Sequence, residues 1–123
     1  MKPTSNKQLG LSFEQELART LSQRGYWCKV LQTGTGQPCD IIAAKGNCAY
    51  FLEAKTAKGD TFSTLRAEAN QRSFYEFSLS CGNTNCFLVV RFKSGVRVFH
   101  FGDVLGSKSL RFEDGLDVEF VFE

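Results

Sequence analysis

The sequence predicts an α/β protein built on a mixed sheet, and three observations carry that prediction. Two helix-length stretches of amphipathic sequence, at residues 12–24 and 64–79, are each followed by short apolar runs. Those runs are four to eight residues long, rich in Val, Ile, Phe and Tyr, and bounded by Gly, Asn and Pro. The order is helix, three strands, helix, then further strands, which places helices on the faces of a sheet with both parallel and antiparallel neighbours. A chain of 123 residues, 42% apolar with 12 Phe, has material for one core and no room for a second domain.

Residues 1–10 are polar and are expected to form a flexible N-terminal segment, leaving 11–123 as a single domain. Ser12 with Gln15 makes a capping-box pattern that should start a helix running to Arg24, with Gly25 as its left-handed stop. Residues 26–31 read as a strand and 33–38, with two Gly and a Pro, as a loop. Residues 40–44 and 49–55 read as strands around a Lys45-Gly46-Asn47 turn, hence a hairpin. A polar loop over 56–63 leads to the second helix, which Gly82 should end. The run at 86–92 is apolar enough to be a central strand, and Lys93-Ser94-Gly95 turns it into 96–101. A helical turn is expected over 103–105. Val118, Phe120 and Phe122 alternate with Glu119, Val121 and Glu123, which predicts a last strand at an edge.

Composition bounds the function. The apolar content excludes disorder, no stretch approaches the length of a membrane span, and no signal-peptide apolar region follows Met1. Cys28, Cys39, Cys48, Cys81 and Cys86 are odd in number and form no Cys-x-x-Cys pair, which predicts reduced thiols in an intracellular, cytoplasmic protein. If a phage encodes the chain, the host cytoplasm is the equivalent place. The net charge of +2 hides an asymmetry: residues 1–112 carry +7 and residues 113–123 carry −5. A basic body suits a polyanionic partner, though a normally solvated surface has the same composition.

Two features point to chemistry. At ~100° per residue, Phe13, Leu17, Ala18 and Leu21 form one apolar stripe, and Glu14 falls within it. A carboxylate there either reaches the edge of the stripe, pairs with an Arg, or faces a cation. On the hairpin, Glu53 and Lys55 share one face, and Asp40 begins the partner strand. An Asp-x12-Glu-x-Lys spacing brings two carboxylates and an ammonium to one end of a sheet. That arrangement is either a cross-strand salt bridge or a seat for a divalent cation; Mg²⁺ suits few carboxylates, with water and phosphate oxygens completing its shell. The loop at 33–36 lacks the Gly-Lys-Ser/Thr ending of a P-loop, so no nucleotide cofactor is expected. Its backbone and Thr35 are suited to a phosphate group, as an alternative to an ordinary glycine turn. Lys45, Lys58, Arg66, Arg72, Arg91, Lys93 and Arg97 are candidate phosphate contacts, of which Lys58, Arg66 and Arg72 are expected to bind nucleic acid.

Taken in order, the helix with an inward Glu, the strand, the Gly-rich loop, the Asp strand, the Glu-x-Lys strand and the second helix resemble the PD-(D/E)xK nuclease superfamily. The resemblance is closer to its archaeal-type and RecU-type Holliday junction resolvases. Residues 14–26, with Glu14, Leu17, Leu21, Gly25 and Tyr26, match the Glu-x-x-Leu-x-x-x-Leu-x-x-x-Gly-aromatic helix of that group. Asp40-Ile41-Ile42-Ala43 resembles its Asp strand, and Glu53-Ala54-Lys55-Thr56 its Glu-x-Lys motif. The likeness spans roughly residues 9–92, and Pro38-Cys39-Asp40 departs from the usual adjacent Pro-Asp.

The resemblance implies a restriction-endonuclease-like αβββαβ core with a mixed central sheet flanked by helices. It implies Glu14, Asp40 and Glu53 as metal ligands, Lys55 as catalytic lysine, Gln71 as a further residue near the site, and Mg²⁺, with Mn²⁺ as a substitute, as cofactor. The function implied is a metal-dependent endonuclease that resolves four-way junctions of double-stranded DNA in recombination and repair. Two symmetric incisions by a subunit with one site favour a homodimer. Two alternatives stay open: another nuclease of the superfamily, of flap or restriction type, and an inactive DNA-binding module of the same fold.

Overall fold

The first helix buries the stripe that the sequence marks. In the computed structural model, which describes residues 6–31, 39–64 and 69–123 (6–12, 69–71 and 74 by backbone alone), α1 spans Asn6–Gln23. Phe13, Leu17 and Leu21 are buried, while Gln15 and Glu16 face solvent. The helix start expected at Ser12 is therefore six residues late. Ser12 and Gln15 sit inside α1 and do not cap it. The end falls as expected: Gly25 takes φ +93°, and the Tyr26 N–H donates to the Leu21 carbonyl at 3.1 Å, closing the helix in a left-handed turn.

Five strands form the main sheet: β1 (Trp27–Val30), β2 (Ile41–Lys45), β3 (Cys48–Thr56), and, after a second helix, β5 (Cys86–Phe92) and β6 (Gly95–His100). Their order is β1-β2-β3-β5-β6, antiparallel throughout except for the parallel β3–β5 pair. The hairpin turn at Gly46-Asn47 is present, with Gly46 at φ +62°. Strand β5 has neighbours on both sides, and six of its seven residues are buried. This is the mixed α/β architecture expected, with helices on both faces.

The two faces carry separate cores. Ile41, Ala43, Leu52, Ala54, Phe87 and Val89 pack against Phe13, Leu17 and Leu21 of α1. Leu88, Val90 and Phe99 on the other face pack with Tyr75 of α2 (Ala69–Ser80) and with Phe101 and Val104 of α3 (Phe101–Leu105). Helix α2 is described from Ala69; the expected start at residue 64 adjoins residues 65–68, which lie outside the described residues, and Thr64 itself follows a short strand.

Two expectations are corrected. The polar loop at 56–63 contains a strand, β4 (Thr61–Ser63), which pairs antiparallel with β7 (Ser109–Arg111). Three-residue strands with a single buried side chain each (Phe62 and Leu110) carry too little periodicity to be read from sequence. The C-terminal strand is absent: Val118–Val121 is a short helix, α4. Val118 and Phe122 are spaced i, i+4 and both buried, whereas Phe120 is 69% exposed. The period-2 reading failed because apolar residues at every second position over so short a run fit one helical turn equally well.

The acidic tail is fastened to this body through main-chain oxygens as well as through the ion pair of Asp117 with Arg97. Arg24 Nε donates to the Phe122 carbonyl at 2.7 Å, Lys45 Nζ to the Glu123 carbonyl at 2.7 Å, and the Tyr26 hydroxyl to the same oxygen at 3.3 Å. Phe122 sits edge-on among Tyr26, Tyr50 and Phe87. None of the five cysteines is paired in a disulfide.

Candidate active site

The site begins with a break in strand alternation. The Asp40 N–H donates to the Leu52 carbonyl at 2.9 Å, although Leu52 already pairs with Ile41 in the β2–β3 ladder. Two residues thus face one, the signature of a β-bulge, which re-aims a side chain at the strand's start. Asp40 Oδ2 accepts the Ala54 N–H at 2.8 Å, so the carboxylate is anchored on β3 between Glu53 and Lys55. Glu53 is fully buried on the face opposite Leu52 and Ala54, in register with Leu88 of β5. Lys55, two residues on, shares that face and is half-buried.

Glu14 reaches the same place from α1. The residue is buried, and its Oε2 has no hydrogen-bond partner among the described residues. Loss of hydration and then the Asp40 charge, opposed by the Lys55 ammonium, together push its carboxyl up to about 7. Glu14, Asp40 and Lys55 therefore lie within electrostatic reach of one another. Glu16, also on α1, points away and pairs with Arg91 at 3.5 Å. Of the two α1 carboxylates, the one inside the apolar stripe is the one brought to the site.

No three His, Cys, Asp or Glu side chains among the described residues converge into a ready-made metal cage. A hard divalent ion that keeps most of its waters needs only one or two carboxylates and substrate phosphates. The donors gathered here are carboxylate oxygens, and the unpartnered Glu14 Oε2 is the kind of atom such an ion relieves. The residues present fit a divalent cation.

This arrangement has a pH signature. Because the folded pKa of Glu14 lies above its ordinary 4.5, folding favours the protonated form. In metal-free protein, stability should be fullest below the ordinary value, fall across the interval up to about 7, and level off above it. Glu14→Gln should flatten that loss and raise stability above neutral pH by roughly 2 kcal/mol, with little change in acid. Urea denaturation in chelator at several pH values measures this; identical profiles for both proteins would contradict it.

Two buried neighbours carried no functional signal in the sequence. Tyr75 of α2 is fully buried, stacked on Phe101 at 3.9 Å, and its phenol is pushed upward by burial and then by Cys39, Glu53 and Asp40. Cys39 is buried beside Asp40, and its thiol is pushed up to about 12, mainly by burial.

The predicted DNA contacts divide. Thr35 and Arg66 lie outside the described residues, as does the side chain of Gln71, whose backbone is on α2. Lys58 is exposed in the segment after β3. Arg72 is half-buried, and its guanidinium donates to the Thr64 carbonyl at 3.4 Å. Three other basic residues have structural partners: Lys45 holds the tail, Arg91 meets Glu16 and lies 4.8 Å from the Phe13 ring, and Arg97 pairs with Asp117.

An α/β fold with a bulged Asp, a buried Glu-x-Lys strand and an inward helix Glu defines a nuclease of the PD-(D/E)xK superfamily. The family model described as archaeal Holliday junction resolvase (Hjc) matches residues 5–119, and the chain belongs to that family. Among solved structures, it is similar to Archaeoglobus fulgidus Hjc, a Holliday junction resolvase from an archaeal hyperthermophile. The two share 20% identity over 93% of this chain and 100% of that one, with a TM-score of 0.70. That likeness bears on the fold. A search of curated proteins finds no match. Members of the family are junction-resolving endonucleases that depend on a divalent metal ion, and this chain is an endonuclease of branched DNA. No helix among the described residues is long and apolar enough to cross a membrane.

Proposed function

We propose that the chain cleaves four-way DNA junctions as a Mg²⁺-dependent homodimer in the cytoplasm, with Asp40, Glu53 and Glu14 as metal ligands and Lys55 as the catalytic lysine. The observation that supports this reading is that Glu14 of α1 lies within electrostatic reach of both Asp40 at the bulge and Lys55 of β3. When bound, the ion supplies Lewis acidity to the phosphate and a lower pKa for an attacking water. The chain's own part is positional and electrostatic. The Ala54 N–H fixes the Asp40 carboxylate, burial locks Glu53, and the Lys55 ammonium offsets negative charge building on the phosphate or holds a water for attack. Gln71 lies on α2, the helix that brings Tyr75 close to Glu53 and Asp40, which supports a place for it near the site. Thr35, Lys58, Arg66 and Arg72 are proposed phosphate contacts.

The test is cleavage of a labelled four-way junction beside duplex, flap and single-stranded DNA of the same sequence, with and without Mg²⁺. Paired incisions across the junction, absent without metal and weak on the other substrates, are expected. Preferential cutting of the flap or duplex would move the chain to another branch of the superfamily. Binding without cleavage at any divalent ion would make it a binding module. Substituting Lys55→Met should slow junction cleavage by about 10²–10³-fold, the scale set by removing one electrostatic stabiliser of a transition state.

A further inference from the structure

Immediately beyond Lys55, two lysines from different parts of the chain are brought together by an acidic residue. Lys58 lies in the segment between β3 and β4, and Lys93 lies in the tight β5–β6 turn. Both are exposed, and neither comes within salt-bridge distance of a described carboxylate. The segments that carry them are tied by four hydrogen bonds. The Lys93 N–H donates to the Gly59 carbonyl at 3.0 Å, and the Ala57 N–H to the Arg91 carbonyl at 2.9 Å. Asp60 accepts the Ser94 N–H on Oδ1 at 2.9 Å and the Ser94 hydroxyl on Oδ2 at 2.6 Å. Both oxygens of an exposed carboxylate are thus used to hold one loop against the other.

The location matters. Lys58 follows Lys55 by three residues, a span of at most about 11 Å of extended chain. Both lysines sit past the C-terminal ends of the parallel β3–β5 pair, the end at which Lys55 stands. A carboxylate among these cations is the wrong charge for a surface that meets DNA, unless its job is mechanical.

We propose that Lys58 and Lys93 form a two-point contact to the DNA phosphates flanking the cleaved one, and that Asp60, through Ser94, is the positioning residue that sets their spacing. The proposal rests on the assignment of Lys55 to the active site. Each lysine displaces counterions from one phosphate, and the brace removes the entropy that two independent loops would lose on binding.

Electrostatics and positioning predict opposite signs here, which makes the proposal testable by equilibrium binding of a four-way junction in chelator, from low to physiological salt. Charge alone predicts that Asp60→Ala tightens binding; the brace predicts that it weakens. Ser94→Ala changes no charge and should weaken binding about three- to fivefold, with melting temperature recorded as the control for folding. Lys58→Ala combined with Lys93→Ala should reduce the log–log salt slope by roughly 0.9 for each phosphate that is no longer neutralised. Tighter binding by Asp60→Ala, or wild-type affinity in Ser94→Ala, overturns the brace. An unchanged slope in the double lysine variant overturns the phosphate assignment. Failure of the unsubstituted protein to bind junctions at all would overturn the underlying function, a result separate from any difference among variants.

Discussion

Glu53→Gln and Asp40→Asn should each reduce junction cleavage by about 10³-fold or more while leaving junction binding intact or tighter. Both substitutions keep size and shape, so the buried Glu53 position is not emptied and the bulge at Asp40 is not removed. What each removes is one negative charge and one hard oxygen donor. In metal-free protein those charges repel phosphate, so their loss should help binding even as it stops chemistry. The assay is single-turnover cleavage in saturating Mg²⁺ beside binding in chelator. Cleavage at the unsubstituted rate by either variant would remove that residue from the site. Loss of binding and cleavage together, with the fold intact, would make the carboxylates part of the DNA surface instead of the catalytic centre.

The second large effect concerns the acidic tail. Phe122 is fully buried and makes edge-to-face contacts with three aromatic rings, so Phe122→Ala should cost about 3–5 kcal/mol of stability. Deleting residues 113–123 should cost at least as much, since it also removes Val118 and the carbonyls that receive Arg24, Tyr26 and Lys45. The tail's −5 charge would repel DNA, so junction affinity in the folded Phe122→Ala protein should be unchanged. Denaturant titration and junction binding measured on the same preparation decide the matter. Retained stability with lost affinity would place the tail in the DNA site.

The parts of this molecule that were legible in its sequence are those where a local pattern and a tertiary demand agree. Glu14 stood out because a carboxylate inside an apolar helical stripe is costly, and the structure buries it there. The hairpin was legible from its Gly46 turn, and the alternation along β3 put Glu53 and Lys55 on one face. The bulge at Asp40 was not legible, because it is a mismatch of register between two strands and leaves no mark in either one alone. Tyr75 was not singled out, since nothing in its own helix shows that the sheet face it covers buries a Glu. The tail was misread because a short alternating run fits strand and helical turn alike, and only the position of Tyr26, Tyr50 and Phe87 decides between them. Lys45, Arg91 and Arg97 looked like phosphate contacts by charge alone; each has a partner supplied by distant sequence.

The central claim is that carboxylates from α1, the bulge and β3 together hold a divalent ion beside Lys55. The most direct measurement is binding of Mn²⁺ to the DNA-free protein, followed by the electron paramagnetic resonance signal of the free ion. The account predicts saturable binding that Asp40→Asn and Glu53→Gln each abolish, that Glu14→Gln weakens, and that Lys55→Met leaves intact. Binding of undiminished strength in both Asp40→Asn and Glu53→Gln would contradict it.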